Sequence, residues 1–164
     1  MSITNQIIVP HLWFNKEAKE AIEYYLSIFK NSKLGNLSRY PSGMEPDEEG
    51  TIMYADFMLE NEWFVAMDSA HTHQFNFNKA ISFMINCDTQ EEIDHYWEKL
   101  SAFPEAEQCG WLKDKYGISW QIVPTIMEEL MEQGTEEQID RANKATLQMK
   151  KLIIEDIKKA YDGN

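Results

Sequence analysis

The two halves of this chain repeat, and that constrains its fold more than any other feature. Displaced by 71 residues, Leu12, Trp13 and Phe14 fall on Phe83, Met84 and Ile85. Ile22, Glu23, Tyr25 and Phe29 fall on Ile93, Asp94, Tyr96 and Leu100. A unit repeated at this spacing is one supersecondary module used twice. Each half reads strand, helix, strand, strand, strand. The helix covers one face of its small sheet and leaves the other face over. Two such modules side by side can curl their leftover faces around a common cleft. The pattern therefore predicts an α+β chain forming one domain over 1–164. Module 1 spans about 6–68, module 2 about 80–124, and a C-terminal helical segment about 126–162.

Individual elements follow from period and punctuation. Gln6–Phe14 reads as a strand, and Asn15 as the cap of a helix whose apolar face is Ala18, Ala21, Ile22, Tyr25 and Phe29. Leu34–Tyr40, Thr51–Leu59 and Trp63–Asp68 are strand-like, separated by the turn-rich Pro41–Gly50 and the short Glu60–Glu62 connection. After the polar loop Ser69–Lys79 comes a strand over Ala80–Cys87. Thr89 and Glu92 then have the spacing of a capping box, opening a helix with Ile93, Tyr96, Trp97 and Leu100 inward. Short strands follow near Ala106–Cys109, Trp111–Lys113 and Ile118–Val123. From Ile126 the pattern is helical, with Thr135 as a cap and a break near Lys150.

Composition narrows the partners. Lys+Arg of 15 against Asp+Glu of 28 gives a net charge of −13. A surface that acidic repels phosphate backbones and anionic lipid, so neither nucleic acid nor membrane is an expected partner. No apolar run approaches the roughly 18 residues of a spanning helix. MSITNQIIVPH lacks the basic start and apolar core of a signal peptide. Cys87 and Cys109 are too few for a disulfide framework. These features lead us to expect a cytoplasmic protein.

Three stretches carry a family resemblance: HLWFNKEAKEAIEYY (His11–Tyr25), CDTQEEIDHYWEKLS (Cys87–Ser101) and CGWLKDKYGISWQIVP (Cys109–Pro124). With the tandem modules, they resemble the PhnB-like group of the vicinal oxygen chelate superfamily, often labelled 3-demethylubiquinone 3-methyltransferase-like. The superfamily holds glyoxalases, extradiol dioxygenases and bleomycin-resistance proteins. The methyltransferase label does not suit the residues. An adenosylmethionine enzyme with a doubly wound sheet needs a glycine-rich turn, and none of the seven glycines forms a G-x-G.

Strand alternation selects the side chains that face the leftover surface. In module 1 these are Val9, His11 and Trp13; Tyr54, Asp56 and Met58; and Phe64, Ala66 and Asp68. In module 2 they are Ala80, Ser82 and Met84, then Ser119, Gln121 and Val123. A slip of one residue would invert any of these sets. The resemblance implies metal ligands, His or Glu, on the first and last strands of each module. His11 matches the first such place, and Ser82 is its repeat partner. Gln121 stands four residues past Gly117, with Ala66 its counterpart and Asp68 one step beyond. A Zn²⁺ or Fe²⁺ site wants three or four imidazole, thiolate or carboxylate donors. The set here is degenerate, so no cofactor is assigned, although a divalent metal at His11 stays open.

His71 and His73 read as members of a solvated loop, His95 as an exposed helix residue, and Cys109 as a structural thiol. The acidic run Glu45–Glu49 reads as a solvated loop. The leading expectation is a small-molecule cleft. His11 would act as base or ligand, Gln121 would orient a substrate oxygen, and Asp56 or Asp68 would supply charge. Trp13, Tyr54, Ser82 and Met84 would line it. The alternatives are a non-catalytic sequestering protein of the bleomycin-resistance type and a dimeric scaffold with a vestigial cleft. The apolar stripe of Ile139, Ala142, Met149, Ile153 and Ile157 needs cover, which points to a homodimer.

Overall fold

The computed structural model describes residues 3–41 and 51–164. The acidic run Glu45–Glu49 lies outside them. The chain divides into two compact units, residues 1–75 and 76–164.

Unit 1 contains β1 (His11–Phe14), α1 (Ala18–Ile28), β2 (Lys33–Arg39), β3 (Ile52–Leu59) and β4 (Glu62–Asp68). The sheet order is β1-β4-β3-β2, with β1 parallel to β4 and the other pairs antiparallel. This is the expected strand-helix-three-strand module. Tyr25 of α1 stacks on Phe57, and Phe57 on Phe64, so α1 covers the face bearing those two phenylalanines.

Two local expectations are corrected here. β1 begins at His11, not Gln6, because Pro10 has no N–H to continue the ladder. The Gln6 side chain stands in for the missing strand. Its Oε1 accepts from the Trp63 N–H at 2.8 Å and its Nε2 donates to the Trp63 carbonyl at 3.0 Å. Nor does Asn15 cap α1. The Ala18 N–H at the start of α1 donates instead to Asp68 Oδ1 at 2.8 Å.

Unit 2 contains β5 (Ser82–Cys87), α2 (Gln90–Leu100), β6 (Trp111–Lys113) and β7 (Ser119–Pro124), in the order β5-β7-β6. β5 is parallel to β7, as β1 is to β4. Ser82 opens β5 where His11 opens β1, so the 71-residue equivalence holds in the structure. The Thr89–Glu92 capping box forms as expected. Asp114 builds the turn between β6 and β7. Its Oδ1 accepts from the N–H groups of Tyr116 and Ile118, and its Oδ2 from Trp120 Nε1 at 2.8 Å.

The strand expected at Ala106–Cys109 is replaced by a short 3-10 turn, Pro104–Ala106, and a lone bridge from Gln108 to Trp111. Cys109 and Gly110 both take positive φ, which turns the chain out of extended geometry. Their N–H groups are satisfied elsewhere, donating to the carbonyls of Met149 and Lys150 at 2.8 Å each.

The C-terminal segment forms α3 (Ile126–Gln133), α4 (Glu136–Gln148) and α5 (Ile154–Asp162). The expected break near Lys150 separates α4 from α5, and Thr135 caps α4. Ala142, Leu152 and Ile157 are buried together, with Met127, Leu130, Met149 and Tyr161 packed around them. Much of the predicted apolar stripe is thus covered by its own chain. The dimer argument built on that stripe loses its footing. No helix among the described residues is long and apolar enough to cross a membrane.

Candidate functional site

Cross-strand register decides which side chains share a face, because directly paired residues point the same way. In unit 1, His11 pairs with Val65 and Val65 with Asp56. Trp13 pairs with Met67, and Met58 with Trp63. The face opposite α1 therefore carries His11, Trp13, Tyr54, Asp56, Met58, Trp63, Val65 and Met67. The facings expected for β1 and β3 are those observed.

On β4 the expectation is inverted. Phe64, Ala66 and Asp68 point to the α1 side, in register with Phe57, Leu12 and Phe14. The cause is the connection between β3 and β4. It contains two residues, Glu60 and Asn61, both at positive φ, and Leu59 pairs directly with Glu62. A two-residue turn of this kind sets register, and a shift of one residue flips the whole strand. Asp68 consequently points away from the His11 face. It is 1% exposed and holds the fold together. Its Oδ1 takes the Ala18 N–H and its Oδ2 takes the Ile52 N–H at 2.9 Å.

Asp56 does face the candidate site side, yet it too is 1% exposed. A bulge in β2 seats it, where Gly35 and Asn36 together oppose the one residue Asp56. Asn36 donates its backbone N–H to Asp56 Oδ1 and its side-chain amide to Oδ2, both at 2.9 Å. The Tyr54 hydroxyl donates to Oδ2 at 3.3 Å. Burial, then the Asp56 charge, raises the Tyr54 pKa, so the phenol keeps its proton.

His11 begins β1 on the same face. Packing around its ring holds its pKa below the ordinary 6.5, although the residue as a whole is exposed. At neutral pH it is an unprotonated imidazole able to accept a proton. Trp13, 44% exposed, stands two residues on. The loop after β4 folds back onto it. His73 meets the Trp13 indole edge-on at 5.3 Å, Phe75 does so at 5.1 Å, and His73 and Phe75 stack at 3.6 Å. The expected solvated loop is in part an aromatic corner. Asn15 holds it, exchanging hydrogen bonds with the backbone of His73.

In unit 2 the facings are as expected. Ser82 pairs with Ser119 and Met84 with Gln121. Gln121 Nε2 donates to Ser82 Oγ at 2.8 Å, joining two of the predicted positions. Met84 is exposed beside them. His95 is half-buried against Tyr96 rather than exposed. Burial raises the Cys109 pKa and pushes Cys87 up to about 12, so neither thiol supplies a thiolate nucleophile near neutral pH.

Register also revises the metal positions. The residue of unit 1 that corresponds to Gln121 is Met67, opposite Trp13, and not Ala66. The four equivalent places thus hold an imidazole, a thioether, a hydroxyl and an amide. Among the described residues, no three His, Cys, Asp or Glu side chains are grouped to hold a metal ion. Neither unit's pair, an imidazole with a thioether or a hydroxyl with an amide, supplies the three or four strong donors of a Zn²⁺ or Fe²⁺ centre.

Sequence reasoning missed the Gly35–Asn36 bulge, Met67 and the His73–Phe75 stack. Only the last left a trace, the His71-x-His73 spacing.

Comparison with known proteins agrees with this fold. A sequence profile of the family described as 3-demethylubiquinone-9 3-methyltransferase matches residues 6–123. The PhnB protein from Bacillus cereus is 37% identical, with 73% of this chain and 100% of that chain covered and a TM-score of 0.64. Protein PA1353 from Pseudomonas aeruginosa is 23% identical, with 71% and 96% covered and a TM-score of 0.51, a likeness of fold alone. No curated protein gives a significant match.

Proposed function

The chain belongs to the 3-demethylubiquinone-9 3-methyltransferase family, the PhnB-like branch of the vicinal oxygen chelate fold, and from that membership we propose that it binds a small organic molecule on the His11–Trp13 face of unit 1. The observation that carries this is the row His11–Val65–Asp56, which sets an imidazole and a buried carboxylate on one sheet face. An exposed indole beside them offers apolar contact. His11 serves as the base, Asp56 contributes fixed negative charge, and Tyr54 and Trp13 line the surface. On unit 2 the Ser82–Gln121 pair, flanked by Met84, is suited to orienting a ligand oxygen. Methyl transfer from adenosylmethionine is not part of this reading. The described residues form mixed sheets of four and three strands, without the doubly wound parallel sheet and glycine-rich turn of that chemistry.

The test is a ligand-observed NMR screen of a metabolite library against wild type, His11→Ala and Trp13→Ala. Binding that is lost in both variants supports the site. Absence of any ligand, or binding indifferent to both substitutions, overturns it. A bound compound recovered unchanged after long incubation marks sequestration, which the exposed apolar Trp13 and Met84 favour. A transformed compound marks an enzyme.

The homodimer is proposed on a different observation from the helical stripe. Ile7 and Ile8, 99% and 84% exposed, lie beside the edge strand β1, and Ile81, 74% exposed, beside the edge strand β5. Exposed apolar residues beside sheet-edge strands call for cover. Light scattering of wild type and Ile8→Glu tests this; a monomeric wild type removes the claim.

A further inference from the structure

We propose that Trp13, His73 and Phe75 form a subsite for a flat aromatic ligand group that carries a hydrogen-bond donor, and that His73 Nε2 accepts from that donor. The proposal rests on the reading of the His11–Trp13 face as a ligand surface, and it names the ligand class.

Four observations on unit 1 converge. His73 Nδ1 lies 2.9 Å from the Phe75 carbonyl oxygen, which can only accept. In the neutral tautomer this contact selects, Nδ1 carries the ring proton and Nε2 keeps its lone pair. That Nε2 is buried and has no hydrogen-bond partner among the described residues. A buried ring nitrogen left without a donor is a standing cost, recovered when a donor arrives.

The ring is also held in place. Asn15 Oδ1 accepts from the His73 N–H at 2.9 Å, and Asn15 Nδ2 donates to the His73 carbonyl at 3.3 Å. The Ser69 hydroxyl donates to the His71 carbonyl, tightening the same loop. The imidazole lies flat on Phe75, at 2° between planes. An acceptor fixed in tautomer, position and plane needs little ordering when a ligand binds.

Finally, the surroundings select aromatic over aliphatic ligands. Trp13 and Phe75 are 44% and 53% exposed and meet edge-on, leaving ring faces on which a flat group can stack. Access of a ligand edge to the buried Nε2 requires the half-exposed Phe75 ring to turn, and this movement is part of the proposal. A phenol or a heteroaromatic N–H meets all of these requirements; an aryl ether lacks the donor.

The test uses the full chain with 2-naphthol and 2-methoxynaphthalene as probes, which share ring surface and differ in the O–H. Calorimetry measures both against wild type, His73→Phe and Trp13→Ala, with proton–nitrogen spectra reporting that each variant is folded. Wild type is expected to prefer 2-naphthol by roughly fivefold, the worth of one neutral hydrogen bond. His73→Phe, which keeps the stack and loses the acceptor, should abolish the preference. Trp13→Ala should weaken both probes. Equal binding of the two probes to wild type overturns the proposal, as does a preference that survives in His73→Phe. If neither probe binds while library compounds still perturb His11, the subsite fails and the ligand-face reading stands. If nothing perturbs His11 either, both fail.

Discussion

Gln121 donates its side-chain amide to the Ser82 hydroxyl at 2.8 Å. Their strands pair in parallel, so the contact crosses the sheet between two positions where metal-dependent members of the superfamily place strong donors. An amide and a hydroxyl bonded to each other are weak, neutral ligands. With Met67 at the corresponding place on β4, His11 is the one strong donor among these four repeat-equivalent positions. Elemental analysis after purification should find transition metal well below one equivalent per chain. Near-stoichiometric metal that disappears in His11→Ala would restore the metal-dependent reading.

His11 gives a pH dependence whose sign can be worked out. Burial lowers its folded pKa below 6.5, the value it regains on unfolding. As pH falls through 6.5, the unfolded chain takes up a proton before the folded one does. Stability therefore drops across the interval between 6.5 and the depressed folded pKa, and this contribution levels off below it. Above 6.5 the residue contributes no slope. The residue as a whole is exposed, so the effect is small. Urea midpoints of wild type and His11→Gln at pH 8 and pH 5 should differ in this direction, with the wild type losing more. Ligand binding or turnover that needs the neutral imidazole should persist to somewhat below 6.5 before it falls.

Asp68 should behave as a structural residue. Its two oxygens take N–H groups from the start of α1 and the start of β3, in a position 1% exposed. Asp68→Ala leaves both donors buried and unpaired. At about 1–3 kcal/mol for each unpaired group, the expected loss is about 2–6 kcal/mol. Urea unfolding should show it. Asp68→Ala with near-wild-type stability would mean that these bonds are dispensable.

The sequence made the architecture legible because the repeat and the apolar periods are global signals. They survive errors of a residue or two at any boundary. Facing on β4 did not survive such an error. It hangs on the length of the Glu60–Asn61 turn, and one misplaced residue exchanges Ala66 and Asp68 for Val65 and Met67. The strand at Ala106–Cys109 failed for a different reason. Its Ala106 and Glu107 N–H groups close a tight turn onto the Phe103 and Pro104 carbonyls, and only the Cys109 N–H reaches a distant acceptor, the Met149 carbonyl, a tertiary contact no local window contains. The facings of His11, Trp13, Asp56, Ser82 and Gln121 were legible because each lies on a strand whose alternation is regular. His73 was missed because loops have no period.

The bulge that seats Asp56 yields the sharpest prediction. A Cβ added at Gly35 would lie 1.7 Å from Asp56 Oδ1 and 2.9 Å from the Trp63 ring. The first contact is impossible without movement, and the carboxylate is anchored by both nitrogens of Asn36. Gly35→Ala should thus cost about 1–3 kcal/mol or more, as overpacking does. Asp56→Ala removes the obstructing oxygen and the anchored charge together. In that background Gly35→Ala should be nearly free, apart from the milder contact with Trp63. The four chains form a double-mutant cycle, and residues in direct contact couple by about 0.5–3 kcal/mol. Urea unfolding of all four measures that coupling. If Gly35→Ala costs the same with and without the Asp56 carboxylate, the bulge does not seat that side chain, and Asp56 loses its claim to be a fixed charge on the His11 face.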